Sequence, residues 1–223
     1  MKKGLLILLA TLVLSGVPES LKAQTDESSL RTSANIGIKL AKGLALEITP
    51  EYRFDPASKA SEYLLEAGLN YKIVSWLSVG GYYRLDGAKV TDTEGKGGSS
   101  FQTSNRFSFD ATTKVSLKRF TPKFRVRFCN FTDFDNTTDD PTNYMRYRLG
   151  LDYNIKGFKL TPFVSVELYQ KLSNGLLNKS RYTIGGGYDL NKKNAISLSY
   201  SYGEKFKSQA ITHIFELSYK FKF

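Results

Sequence analysis

Residues 211–223 alternate without a break. Ile211, His213, Phe215, Leu217, Tyr219, Phe221 and Phe223 fall on one face, and Thr212, Ile214, Glu216, Ser218, Lys220 and Lys222 on the other. A period of two belongs to a β-strand, whose successive side chains point to opposite sides. Here one side is apolar and aromatic, the other polar and charged. The other end of the chain says where such a strand would work. Lys2 and Lys3 precede an apolar run over residues 5–13, and Leu21-Lys22-Ala23 puts a small residue before Gln24. That is the layout of a cleaved export signal, and the run is too short to span a membrane as a helix. An exported chain that closes on an amphipathic strand predicts an outer-membrane β-barrel in a Gram-negative bacterium. Residues 1–23 are then the signal peptide and 24–223 the barrel domain.

The rest of the chain repeats the pattern. Alternating segments cover 30–40, 44–54, 60–73, 77–86, 101–117, 123–132, 143–153, 158–170, 179–189, 195–202 and 209–223, and almost nothing reads as helix. Most match the roughly 9–11 residues of a tilted transmembrane strand. Eleven segments conflict with the even strand number usual for single-chain bacterial barrels, so the reading is an all-β, antiparallel up-and-down barrel of ten to twelve strands, with ten or twelve favoured by parity. Pro50 and Pro162 fall inside segments and each demands a bulge or a break in the ladder.

Magnitudes decide which face is outside. The polar faces carry Lys39, Arg53, Lys72, Arg84, Arg106, Lys114, Arg125, Arg127, Arg146, Arg148, Lys159, Arg181, Lys220 and Lys222, with Glu47, Glu51, Glu66, Asp86, Asp110, Asp152, Glu167, Asp189 and Glu216. A Lys or Arg on the lipid face near the midplane costs about 2–4 kcal/mol. A few of them would exceed the whole stability of a domain, about 5–15 kcal/mol. The charged face must therefore line the lumen. A soluble β-sandwich, the alternative fold, would bury the apolar face instead. Fourteen inward cations against nine carboxylates leave a positive interior, which favours anions if a path is open. Arg84, Arg125, Arg127, Arg146, Arg148, Arg181, Glu47, Glu51 and Glu167 are the candidate lumen-lining residues.

Turn lengths set the polarity. The turns at 41–43, 154–157 and 191–194 are short, whereas 87–100, 133–142 and 171–178 are longer, as periplasmic turns and outer loops are in barrels. Gly68-Leu69-Asn70-Tyr71, Gly150-Leu151-Asp152-Tyr153 and Gly185-Gly186-Gly187-Tyr188 then recur at the lower ends of three descending strands. They place Tyr71, Tyr153 and Tyr188, with Trp76, in an inner aromatic girdle at the lipid interface.

The run Tyr144-Met145-Arg146-Tyr147-Arg148-Leu149-Gly150-Leu151-Asp152-Tyr153, then Leu160-Thr161-Pro162-Phe163 to Glu167-Leu168-Tyr169, then Arg181-Tyr182-Thr183-Ile184-Gly185, resembles one outer-membrane β-barrel family, as does Glu51-Tyr52-Arg53-Phe54. That family is common in Bacteroidetes and is known only as a domain of unknown function. The resemblance spans nearly the whole mature chain, implies the barrel, and brings no catalytic residues. The terminal Tyr219, Phe221 and Phe223 resemble the signal read by the barrel-assembly machinery.

The formal charge of +11 falls to +9 once three lysines and one glutamate leave with the signal. Export excludes nucleic acid as the partner of that charge. Outer-membrane lipid, including lipopolysaccharide, is the expected partner alongside the assembly machinery. Cys129 is the only cysteine and faces the lumen, so no internal disulfide or thiolate cluster forms; no metal site or cofactor motif is read. His213, the only histidine, sits on the lipid face, where some outer-membrane lipid hydrolases place theirs. Those carry a Ser two residues later, where this chain has Phe215. The acidic loop of Asp133, Asp135, Asn136, Asp139 and Asp140 lacks the spacing and Gly of a calcium loop. The leading reading is a non-enzymatic barrel, either a small, weakly anion-selective pore or a structural wall. The alternatives are a lipid-modifying enzyme using His213 and a surface binder acting through loops 87–100 and 133–142.

Overall fold

A computed structural model describes residues 26–56, 60–91, 99–133 and 142–223. The segments read as signal peptide, and most of the two long loops, lie outside the described residues. Eleven strands follow one another: β1 Asp26–Ala41, β2 Leu44–Phe54, β3 Ser61–Val74, β4 Leu77–Thr91, β5 Ser99–Lys114, β6 Phe120–Asp133, β7 Thr142–Tyr153, β8 Leu160–Lys171, β9 Leu177–Asp189, β10 Asn194–Lys205 and β11 Ile211–Lys222. Each pairs antiparallel with its chain neighbours, and β1 meets β11 to close a barrel.

Eleven strands fall within the ten to twelve expected, and only the preference for an even number is set aside. All eleven segments stand in the wall, and the odd count makes the closing ladder parallel, from Asp26↔Ile211 to Gly37↔Lys222. Closure demands only that both sheet edges find hydrogen-bond partners, and a parallel ladder does this at slightly lower stability per residue. β1 therefore starts at the long-loop end, beside the start of β11.

Strand ends also differ from the sequence reading. β4 runs on to Thr91 instead of ending at residue 86, which shortens the long connection. β5 stops at Lys114 rather than 117, because Leu117 and Phe120 exchange backbone hydrogen bonds of 2.8 and 2.9 Å in a tight turn, with Lys118 at φ 55°. Lys159 leaves the lumen set: it sits in the turn before β8 and donates to the Leu190 carbonyl at 3.3 Å. Pro50 takes the break foreseen. Its β3 side pairs normally with Leu65, while pairing to β1 lapses between Ser33↔Glu51 and Ile36↔Ile48, and Asn35 donates to Thr49 Oγ1 across the gap at 2.9 Å. Pro162 pairs with Gly186 of β9 and lies just past the end of the β7 ladder, where no donor is needed.

The barrel is inside-out relative to a soluble domain. Arg106, Asp110, Arg127 and Glu167 are buried, while Leu69, Phe109, Leu149, Ile184, Leu198 and Phe215 are exposed on the outer wall. Two inward glycines of the recurring tyrosine motif take a neighbouring ring. A Cβ at Gly68 would lie 2.2 Å from Tyr82 Cδ1, and one at Gly185 would lie 2.5 Å from Phe163 Cζ. Gly80 completes the Tyr82 cradle at 2.6 Å. Rings lying flat on the wall fill the lumen where glycine leaves room.

Candidate functional site

The pleat decides which side chains reach the lumen, and on β1 to β9 it sends the arginines there. The half of the lumen nearer the long loops holds a cavity of about 620 Å³. Nine arginines (31, 53, 84, 106, 125, 127, 146, 148 and 181) and two lysines (179 and 205) line it, against Glu51 and Glu216. Of the sequence candidates, Arg84, Arg125, Arg127, Arg146, Arg148, Arg181 and Glu51 all meet on this cavity. Glu167 stands behind it as the anchor of Arg125 and Arg146. Glu47, four residues before Glu51 on the same strand face, is not part of the cavity lining. A second cavity of about 400 Å³ lies toward the short turns, and Arg125 and Arg148 line both.

Carboxylates act as hubs, each holding several guanidinium groups. Glu51 meets Arg53 at 2.6 Å, Arg84 at 3.6 Å and Arg31 at 3.8 Å. Glu66 meets Arg84 at 3.0 Å, Arg106 at 3.5 Å and Arg127 at 3.9 Å. Arg127 also binds Asp110, and its guanidinium lies 4.7 Å from the Tyr82 ring. Glu167, 3 % exposed, accepts from Arg125 at 2.9 Å, from Arg146 at 3.0 Å and from the Tyr169 hydroxyl at 2.9 Å. These hubs stitch β1 through β8 around the inner wall. Arg148 has a hydroxyl partner instead, donating to Ser165 Oγ at 3.2 and 3.0 Å.

Sequence reasoning missed Arg31, Lys179 and Lys205. Lys205 lies beyond the segment read over 195–202, whereas Arg31 and Lys179 fall inside the segments 30–40 and 179–189 but at their outer ends, and neither was counted among the inward charges. The alternation of Leu30, Thr32 and Arg31 was the available signal for Arg31. Tyr82 and Tyr169 were missed because only charged residues were taken as candidates for the lumen.

On the outer wall, Tyr71, Trp76 and Tyr188 are exposed at the short-turn end. Tyr153 packs on Phe120 with ring centroids 5.0 Å apart, and Tyr188 on Phe158 at 6.4 Å. The short-turn end also carries a one-sided charge. Its five connections contain Lys42, Lys118, Arg119, Lys156, Lys159, Lys192 and Lys193 and no carboxylate. Tyr219 donates to Asn194 Oδ1, and the Phe221 and Phe223 rings meet edge-on at 4.4 Å.

His213 faces the outer wall between Tyr200 and Tyr202. Its Nδ1 shares a 2.8 Å hydrogen bond with the Tyr200 hydroxyl. Ser28 is its register neighbour on β1, but no hydrogen bond joins them. A nucleophile–base pair is therefore not formed there. Among the described residues no three His, Cys, Asp or Glu side chains are grouped to hold a metal ion. The side chains of Asp133, Asp135, Asn136, Asp139 and Asp140 lie outside the described residues.

A family model described as a protein of unknown function, DUF2490, matches residues 30–212. The chain belongs to the DUF2490 family. No curated protein matches its sequence. Among solved structures, this DUF2490 barrel is similar to the β domain of the Bordetella autotransporter BrkA, at 15% identity and TM-score 0.52, over 85% of this chain and 87% of that one. It is also similar to OmpT, an outer membrane protein of Vibrio cholerae, as a loop L8 deletion mutant, at 13% identity and TM-score 0.46, over 78% of this chain and 57% of that one. The BrkA likeness shows the fold: a closed barrel of the outer-membrane type.

Proposed function

We propose that this DUF2490 protein is a non-enzymatic outer-membrane barrel whose lumen is a narrow, weakly anion-selective path for small solutes. One observation carries this: eleven cations and two carboxylates line the upper cavity, and Arg125 and Arg148 line the lower one as well. Ion pairing stiffens those arginines without filling the lumen, and fixed positive charge in a confined pore raises the local concentration of anions. The aromatic band and the basic short turns suit a lipid interface, with the turns facing anionic headgroups on the periplasmic side and outer-leaflet lipopolysaccharide at the other end. Residues 1–23 act as the cleaved signal, and Tyr219, Phe221 and Phe223 as the signal for the assembly machinery.

The test is single-channel recording from refolded residues 24–223 in a planar bilayer. Discrete conductance steps are expected. A heat-modifiable, folded barrel that stays silent would overturn the path and leave a structural wall.

A further inference from the structure

Positive charge in the lumen is mostly answered by the hubs, but at the start of β9 it is not. Lys179 and Arg181 stand two residues apart on the same inward face and line the upper cavity. With Arg146 they surround one ring: Arg146 Cζ lies 4.8 Å, Arg181 Cζ 5.6 Å and Lys179 Nζ 5.8 Å from the centre of Tyr169. Arg146 has its carboxylate. Arg181 is directly opposite that same Glu167 in the β8–β9 register, yet Arg125, Arg146 and the Tyr169 hydroxyl already occupy both Glu167 oxygens. Among the described residues neither Arg181 nor Lys179 forms an ion pair. Arg181 Nε is buried with no hydrogen-bond partner, and so is Oδ1 of Asn178, the residue before Lys179.

Two like charges held this close in a half-enclosed lumen repel each other and are costly to keep unanswered. A ring face offers each of them only a weak substitute for a counter-ion. The unfilled donors are of two kinds, a planar fork and a compact ammonium. Together they match an oxyanion with several acceptor oxygens on one centre, the fork taking two of them and the lysine another.

We propose that Lys179 and Arg181, over the Tyr169 ring, form a saturable site for a phosphate group carried by a small solute entering from the long-loop end. The inference rests on the lumen being open to solutes at that end. The site concentrates its ligand at the mouth, while the arginines deeper in the lumen provide selectivity.

The experiment is calorimetric titration of inorganic phosphate into the refolded barrel in neutral detergent with chloride as background. Wild type should bind one phosphate per chain. Arg181→Gln should abolish saturable binding and Lys179→Gln should weaken it about tenfold, the loss of one charge-assisted hydrogen bond. Arg181→Lys should retain part of the affinity, and Lys156→Gln, in a turn outside the lumen, should bind as wild type does. Heat-modifiable gel mobility verifies that each variant is folded. Absence of saturable binding by wild type, or equal binding by Arg181→Gln and wild type, overturns the site. Anion-selective conductance without phosphate binding removes this inference alone. Phosphate binding to a barrel that is silent in the bilayer removes the path and keeps the site.

Discussion

Glu167→Gln is the sharpest perturbation of the lumen network. The side chain is 4% exposed and is the carboxylate partner of both Arg125 and Arg146. Glutamine keeps the shape, so no cavity opens and the change is one of charge. It leaves two guanidinium groups facing each other without an anion, and its amide turns a donor toward them. Breaking one buried pair costs about 3–5 kcal/mol. Two pairs share this carboxylate, so the loss should fall at the upper end, about 4–5 kcal/mol, of a total stability of about 5–15 kcal/mol. With a urea slope of about 2 kcal/mol/M, the unfolding midpoint should fall by about 2 M. Glu62→Gln is the contrast. Its side chain is 46% exposed and, among the described residues, pairs with Arg53 alone at 3.3 Å, so the change should cost less than about 1 kcal/mol. Urea unfolding from lipid vesicles, read by gel mobility, measures both. If Glu167→Gln matches Glu62→Gln, the carboxylate hubs do not hold the lumen and the reasoning fails.

Gly68→Ala should destabilise the barrel by about 1–3 kcal/mol in the same assay, because a Cβ there would stand 2.2 Å from the Tyr82 ring; a neutral result would show that Tyr82 is free to swing off the wall. His213→Ala should leave release of fatty acid from labelled lipid at background, as in wild type, since its Nδ1 is engaged by Tyr200; activity in wild type that the variant loses would restore the enzyme reading. Replacing Lys42, Lys118, Lys156 and Lys192 by Gln should slow folding into vesicles rich in anionic lipid and not into neutral ones, at about 1 kcal/mol of attraction per lysine near the surface; equal rates in both would disprove lipid contact at the short turns.

The wall of this barrel was legible because a membrane leaves so little choice. A strand between lipid and lumen must alternate, so residues 195–202 and 211–223 declare both faces, and the cost of charge in hydrocarbon assigns the arginines inward. Strand parity was not legible. Nothing local in Leu30 to Leu40 distinguishes a parallel partner from an antiparallel one, since the pattern of the strand is the same for both. The lumen was legible as a list of arginines but not as a network. Which carboxylate holds which arginine depends on register across several strands: Glu66 of β3 reaches Arg106 of β5 and Arg127 of β6. The same limit hid Lys179 and Arg181 as an unanswered pair, because only the structure shows Glu167 already taken. The glycines of the tyrosine motif were read through their tyrosines, whereas Gly68 and Gly185 make room for rings from a neighbouring strand, Tyr82 of β4 and Phe163 of β8.

The most direct test of the cation-lined path is the reversal potential of the refolded barrel in a bilayer under a potassium chloride gradient. The expected potential has the sign set by chloride and moves toward zero in Arg148→Glu, since Arg148 lines both cavities and no carboxylate among the described residues pairs with it. A potential of the sign set by potassium in wild type would contradict it.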